Sequence, residues 1–65
     1  MRVTVDVVGE GTQYVEVADG TYADLLDAVG FSIHEASVLV EGRPVPEDQP
    51  IESSSVTVLR LVRGG

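Results

Sequence analysis

The three C-terminal residues, Arg63-Gly64-Gly65, carry the clearest chemistry in this sequence. Glycine has no Cβ, so a Gly-Gly ending can adopt backbone conformations closed to other residues and can pass close to another protein's backbone. It also presents an unhindered α-carboxylate. A carboxylate is a poor acyl donor until it is activated, and nothing in this chain could activate it. We therefore expect a partner protein to perform the chemistry on Gly65. The alternative is a frayed end without a function, because chain termini are often poorly ordered.

The other residues that could act as nucleophiles, bases or metal ligands indicate neither a catalytic nor a metal site. The chain has no cysteine, which excludes disulfides, thiolate metal sites and a cysteine nucleophile. His34 is the only histidine, and a lone histidine does not match the usual zinc ligand sets. Serine, histidine and aspartate are all present, but without a nucleophile-elbow motif this composition does not indicate a triad. Gly9-Glu10-Gly11 precedes no helical pattern, so it indicates a hairpin turn rather than a dinucleotide site. We predict that the chain is not an enzyme.

Length and charge restrict the possible functions further. The 65 residues allow one domain with one small core and leave little room for a deep substrate cleft. Eleven acidic residues against four arginines and no lysine give a formal net charge of −7, which disfavours direct binding to nucleic acid. Such a surface is typical of a salt-rich cytoplasm, with ordinary acidic drift as the alternative. No apolar run approaches the roughly 18 residues of a membrane span, and the strand pattern begins too early for a signal peptide. We expect a cytoplasmic monomer.

The N-terminal half predicts a β-hairpin followed by a helix. Residues 2–8 alternate apolar and polar side chains, and residues 13–17 resume that alternation after a glycine-rich turn. Thr21 lies three residues before Asp24, the spacing of a helix capping box. The residues that follow form one apolar stripe at helical spacing, namely Tyr22, Leu25, Leu26 and Val29. Gly30 comes directly after this stripe and is typical of a helix end.

The C-terminal half predicts two further strands and an edge segment. Residues 37–40 and 56–62 have strand patterns, while two prolines confine residues 43–46 to a sheet edge or a bulge. The economical packing is an α+β fold with one helix on one face of a mixed sheet of four to five strands. If the helix is a crossover, the first and last strands lie side by side in the middle of the sheet. We therefore predict one domain over residues 1–62 and a flexible tail over residues 63–65.

A surface patch is predicted beside this tail. If Val56 and Val58 point into the core, alternation directs Leu59 and Leu61 outward, and Leu39 shares their face. Exposed leucines gathered in one place favour a partner-binding patch. The alternatives are a local bulge that reverses the facing of these side chains, or isolated apolar residues of the kind that is common on surfaces. Arg60 and Arg63 flank the tail and could meet an acidic groove on a partner; ordinary solvated arginines are the alternative.

Over its whole length, the chain resembles the ubiquitin-like β-grasp fold. The resemblance is most specific at residues 38–45 (VLVEGRPV) and 58–65 (VLRLVRGG). The compact length, the acidity and the string YADL at residues 22–25 make the chain most similar to the small archaeal modifier proteins of haloarchaea. Those proteins combine two roles, that of the molybdopterin-synthase and thiamine sulfur carriers and that of ubiquitin-like modifiers.

The resemblance implies that a ubiquitin-activating-type enzyme adenylates the Gly65 carboxylate with Mg-ATP. Sulfur transfer would then give a thiocarboxylate, a sulfur donor for tRNA thiolation or molybdopterin synthesis. Attack by a lysine amine of a target protein would instead give an isopeptide bond. The ATP, the magnesium and any zinc would belong to the partner, so no cofactor is expected in this chain. A noncovalent β-grasp interaction module, in which the glycines are incidental, is the alternative.

The chain departs from ubiquitin in having no lysine. It therefore offers no side-chain amine to a second copy, and only the amine of Met1 could extend a chain of modifiers. We expect single attachment rather than side-chain-linked polymers.

Overall fold

A computed structural model describes residues 1–61, so the predicted tail residues Arg63, Gly64 and Gly65 lie outside the described part of the chain. Within it, five strands form one sheet and a single helix packs on one face. The elements are β1 (Arg2–Val7), β2 (Gly11–Glu16), α1 (Tyr22–Ala28), β3 (Ala36–Val40), β4 (Arg43–Pro44) and β5 (Ser55–Arg60). This arrangement confirms the predicted α+β class with a mixed sheet.

The last strand lies in the middle of the sheet. The strand order is β2-β1-β5-β3-β4, with β1 parallel to β5 and every other neighbouring pair antiparallel. Two parallel neighbours need a crossover connection, and α1 lies within that connection. The prediction that the first and last strands are central neighbours is confirmed. Because β5 has a partner on both sides, its direction is fixed along most of its length.

The core lies between the sheet and α1. In β1, every second residue is buried, which confirms the alternation predicted from the valines. The same period continues in β3 and β5, where Val38, Val56 and Val58 face the helix. The buried hydrophobic residues are Val3, Val5, Val7, Tyr22, Leu25, Leu26, Ala36, Val38, Val56 and Val58. The opposite face of the sheet, called the outer face below, carries the intervening side chains.

The backbone amides at the start of α1 find hydrogen-bond acceptors in the helix cap and in a neighbouring loop. The Thr21 backbone N–H donates to Asp24 Oδ2 at 3.0 Å, and the Asp24 N–H donates to Thr21 Oγ1 at 3.4 Å. This reciprocal pair confirms the predicted capping box. The next free amides, those of Tyr22 and Ala23, donate to the carbonyls of Gln49 and Glu47. Helix-start amides otherwise lack partners, so these bonds fix the seven-residue helix against the 47–49 loop.

β4 lies at the edge of the sheet, one of the two positions predicted from the prolines of residues 43–46. β4 contains two residues, and Pro44 pairs with Leu39 of β3. The turn between the strands consists of Glu41 and Gly42, both with positive φ, at 54° and 82°. No helix among residues 1–61 is long and apolar enough to span a membrane.

Candidate functional site at the C-terminal end of the sheet

The chain leaves the sheet at the end of β5, where one backbone hydrogen bond follows the last strand residue. Leu61 N–H donates to the carbonyl oxygen of Glu35 at 2.7 Å. Glu35 belongs to the connection between α1 and β3, and its carboxylate Oε1 accepts a hydrogen bond from the Ser32 N–H at 2.9 Å. The base of the tail is therefore tied to a connection that is itself braced. Residues 62–65 follow this point in the sequence.

Arg60 lies on the helix side of the sheet. It pairs in register with Ala36, which is buried against the core. Its Nη1 donates to Oε2 of Glu10, in the turn between β1 and β2. Its guanidinium carbon lies 5.6 Å from the centroid of the Phe31 ring, a distance typical of a cation–π contact. The side chain that was predicted to meet a partner is thus engaged within the molecule.

Leu39 and Leu59 lie on the outer face. Leu39 pairs with Thr57, and Leu59 pairs with Ser37, so the two leucines are diagonal neighbours across β3 and β5. Leu59 is 40% exposed, whereas Leu39 is half-buried. The two residues form the outer-face part of the predicted patch.

Leu61 departs from the predicted alternation. β5 ends at Arg60, and beyond the strand the two-residue period no longer determines where a side chain points. Leu61, which is 50% exposed, lines a cavity of about 90 Å³ together with Leu26, Ile33 and Val45. These neighbours belong to the helix side of the sheet. The four predicted patch residues within the described chain therefore divide into two groups, with Leu39 and Leu59 on the outer face and Arg60 and Leu61 beside the helix.

Several residues around the base of the tail were not anticipated from the sequence. Glu10 was interpreted only as part of a turn, and no sequence pattern placed Phe31 or Ile33 near the tail. Phe31 packs against the core, whereas Ile33 remains 41% exposed. The sequence does indicate on which face Arg60 lies. Residues two apart in a strand point to the same face, so Arg60 shares the helix side with the buried Val56 and Val58.

The described residues contain no metal-binding arrangement. No group of three or more His, Cys, Asp or Glu side chains among residues 1–61 could hold a metal ion. His34 is exposed, and its backbone N–H donates to Ser32 Oγ at 3.3 Å. All eleven acidic side chains of the chain are exposed, so the surface of the described residues carries a strong negative charge.

A mixed five-stranded sheet in the order β2-β1-β5-β3-β4, with one helix packed on one face, is the architecture of the ubiquitin-like β-grasp class of proteins. The family model described as small archaeal modifier protein 2 matches residues 1–62, and the chain belongs to that family.

Individual relatives agree with this assignment. The chain is 64% identical over 66 residues to small archaeal modifier protein 2 of Haloferax volcanii, and the match covers 100% of both chains. It is 31% identical over 67 residues, again across both whole chains, to an uncharacterized protein of Archaeoglobus fulgidus. The crystal structure of the Haloferax volcanii small archaeal modifier protein 2 superposes with a TM-score of 0.74 at 62% identity, over 97% of each chain.

Proposed function

We propose that this protein is a ubiquitin-like modifier and sulfur carrier that acts through the carboxylate of Gly65. The observation that supports this most directly is the position of β5, which lies between β1 and β3 and leads straight into residues 62–65. A central strand is hydrogen-bonded to a neighbouring strand on each side, so a pull on the tail does not detach an edge strand. Membership of the small archaeal modifier protein 2 family supports the same function.

The first step of the proposed mechanism is adenylation by a partner enzyme. An oxygen of the Gly65 carboxylate attacks the α-phosphorus of Mg-ATP, pyrophosphate leaves, and an acyl-adenylate forms. The mixed anhydride makes the carbonyl carbon electrophilic, which the free carboxylate is not. The ATP, the magnesium and any zinc reside on the partner. The contribution of this chain is a tail without β-carbons at its last two positions, which a narrow active site can accommodate.

Two fates follow for the acyl-adenylate. Hydrosulfide supplied by a partner attacks the carbonyl carbon, displaces AMP and leaves a thiocarboxylate on Gly65, which then donates sulfur in tRNA thiolation or molybdopterin synthesis. Alternatively, the ε-amine of a lysine on a target protein displaces AMP and forms an isopeptide bond. Because the chain has no lysine, we propose that each target lysine receives a single copy.

The exposed leucines beside the tail are the proposed contact surface for these partners. Leu59 and Leu61 are 40% and 50% exposed and directly precede the tail, so an enzyme that reaches Gly65 passes close to both. Leu39 extends the surface on the outer face. Truncating exposed apolar anchors of this kind reduces binding when they are buried at an interface.

A noncovalent interaction module is the second candidate function. It is favoured by the outer face, where Leu59 has no covering element among the described residues. Under this alternative, a protein that lacks its last two residues would still bind its partners. Under the proposed function, the same protein would bind weakly or normally but would no longer be activated.

Truncation of the tail tests the proposal. We compare the parent chain with chains that lack Gly65, or Gly64 and Gly65, in ATP–pyrophosphate exchange with the activating enzyme of the same organism. The parent should support exchange and both truncated chains should not, because the reacting carboxylate has been moved. Circular dichroism and urea unfolding should be unchanged, since the last described strand, β5, ends at Arg60.

A second arm tests the sulfur-carrier role separately. With a sulfur donor present, the intact parent should gain the mass difference between sulfur and oxygen, which identifies a thiocarboxylate. Undiminished exchange by the truncated chains would contradict the proposed function, as would a complete lack of exchange by the parent. In the latter case, partner binding that survives truncation would favour the noncovalent module.

A further inference from the structure

We propose that Arg60 is a positioning residue for the chemistry at Gly65: it fixes the base of the tail through contacts inside the molecule. This inference depends on the proposed function, because the direction of the tail matters only if an enzyme acts on its end. We call Glu10, Phe31, Glu35 and Arg60 the tail-base cluster. Its members come from the β1–β2 turn, the α1–β3 connection and β5.

Arg60 joins two of these elements to β5 with one side chain. Its Nη1 donates to the carboxylate of Glu10, which lies fifty residues away in the sequence. The same guanidinium lies over the ring of Phe31, with 5.6 Å between its carbon and the ring centroid. A planar guanidinium can stack on a ring with its face while its N–H groups bind a carboxylate at its edge. A lysine ammonium has no such plane, so the geometry is specific to arginine.

The α1–β3 connection is also tied to the backbone at the end of β5. Leu61 N–H, directly after Arg60, donates to the Glu35 carbonyl at 2.7 Å. That connection is braced in turn, because Glu35 N–H donates to the Ser32 carbonyl at 3.0 Å and the Glu35 carboxylate accepts from the Ser32 N–H. Side-chain and backbone contacts therefore hold residues 60 and 61 at the point where the chain enters the tail.

The effect of the cluster on overall stability should be small. The side chains of Arg60 and Glu10 are 47% and 43% exposed, and exposed ion pairs contribute little to folding. What the cluster does restrict is the direction in which β5 ends. When the base of a short tail is fixed, the tail loses less conformational freedom on binding to the activating enzyme. Pre-organisation of this kind lowers the entropic cost of placing the Gly65 carboxylate in the active site.

The test measures kcat/KM for adenylation with the activating enzyme, using the full chain. Arg60→Gln and Glu10→Gln should each lower kcat/KM several-fold. The two substitutions change the net charge in opposite directions, so a general electrostatic effect would not lower both. The exchanged pair, Glu10→Arg with Arg60→Glu, keeps the net charge and can re-form the ion pair, so it should recover part of the loss. Arg43→Gln is the matched control, since Arg43 is exposed on β4 and has no ion-pair partner among residues 1–61.

A second measurement does not depend on the enzyme. Hydrogen exchange of the Leu61 amide reports its bond to Glu35, and this amide should exchange faster in Arg60→Gln and Glu10→Gln than in the parent and in Arg43→Gln. The midpoint of urea unfolding should remain close to that of the parent in all three variants.

The outcomes separate the possible failures. If Arg60→Gln is slow, Glu10→Gln reacts like the parent and the exchanged pair recovers nothing, then Arg60 contacts the partner directly and this proposal is overturned. Unchanged protection of the Leu61 amide in both single variants would also overturn it. If the parent itself is not adenylated, the proposed function fails and this inference fails with it, whatever the exchange data show.

Discussion

The turn between β3 and β4 contains one residue, Glu41, whose backbone conformation is unfavourable for its side chain. Glu41 and Gly42 form a two-residue hairpin connection in which both φ angles are positive. This is the geometry of a type I′ turn, whose twist matches that of the flanking strands. Glycine adopts the conformation freely, whereas a glutamate does so at a cost because its Cβ approaches the backbone. Asparagine tolerates positive φ better than glutamate does.

Glu41→Asn should therefore stabilise the protein. Asn-Gly is the strongly preferred pair for this turn, and we expect the free energy of unfolding to rise by about 0.5–1 kcal/mol, a typical gain when a residue is matched to its backbone conformation. Urea unfolding measures the change. Glu47→Asn, which removes the same charge in the following loop, is the control for net charge. A Glu41→Asn protein that is no more stable than this control would contradict the assignment of strain to position 41.

At the scale of elements, α1 is too short to be stable alone and depends on its packing and its cap. It has seven residues, and isolated helices of this length are marginal in water. Three of its residues are buried in the core. Its first amides are taken by Thr21, by Asp24 and by the 47–49 loop. Gly20 just before the cap has φ 144°, and a Cβ there would lie 2.8 Å from Asp24 Oδ2, so the capping carboxylate needs a glycine beside it.

Thr21→Ala should destabilise the protein by about 1 kcal/mol, the usual cost of losing an N-cap hydroxyl. The substitution leaves the Asp24 N–H without its Thr21 acceptor, while the reverse bond from the Thr21 N–H is retained. Thr12→Ala, at an exposed position of β2, is a suitable control and should stay within about 0.5 kcal/mol of the parent. Thermal or urea unfolding gives both values. Equal effects of the two substitutions would show that the cap contributes nothing measurable.

At the scale of the whole molecule, charge is the dominant feature. A net charge of −7 on 65 residues with every acidic side chain exposed produces repulsion that opposes the compact state. Among the described residues, only three ion pairs offset it, and all of them are partly exposed. Dissolved salt screens such repulsion, because the Debye length falls from about 10 Å at 0.1 M to about 3 Å at 1 M.

The free energy of unfolding should consequently increase with KCl concentration. The double variant Asp19→Asn with Asp48→Asn removes two exposed charges that make no side-chain hydrogen bond or ion pair among residues 1–61. It should be more stable than the parent at low salt and should depend less on salt. Urea unfolding at several KCl concentrations checks both points. An identical salt dependence in parent and variant would mean that salt acts through hydrophobic burial rather than through charge.

Much of the fold could be predicted from local patterns. The valine alternation in β1, the capping box at Thr21 and the prolines of the β4 edge each determine local structure through nearby residues, and all three predictions are confirmed. The surroundings of Arg60 could not be predicted in the same way. Its partners Glu10 and Phe31 lie far away in sequence and come close only when the sheet and its connections are formed. The facing of Leu61 was missed because β5 ends one residue earlier.

The central claim is that the carboxylate of Gly65 becomes activated as an acyl group, and capture of that group by hydroxylamine tests it most directly. The protein is incubated with its activating enzyme, Mg-ATP and hydroxylamine, and the intact chain is fragmented in a mass spectrometer. We expect a hydroxamate located at Gly65 in the parent and none in a chain lacking Gly64 and Gly65. A parent chain that keeps a free carboxylate, while it is still attached to targets or still supports sulfur transfer, would contradict it.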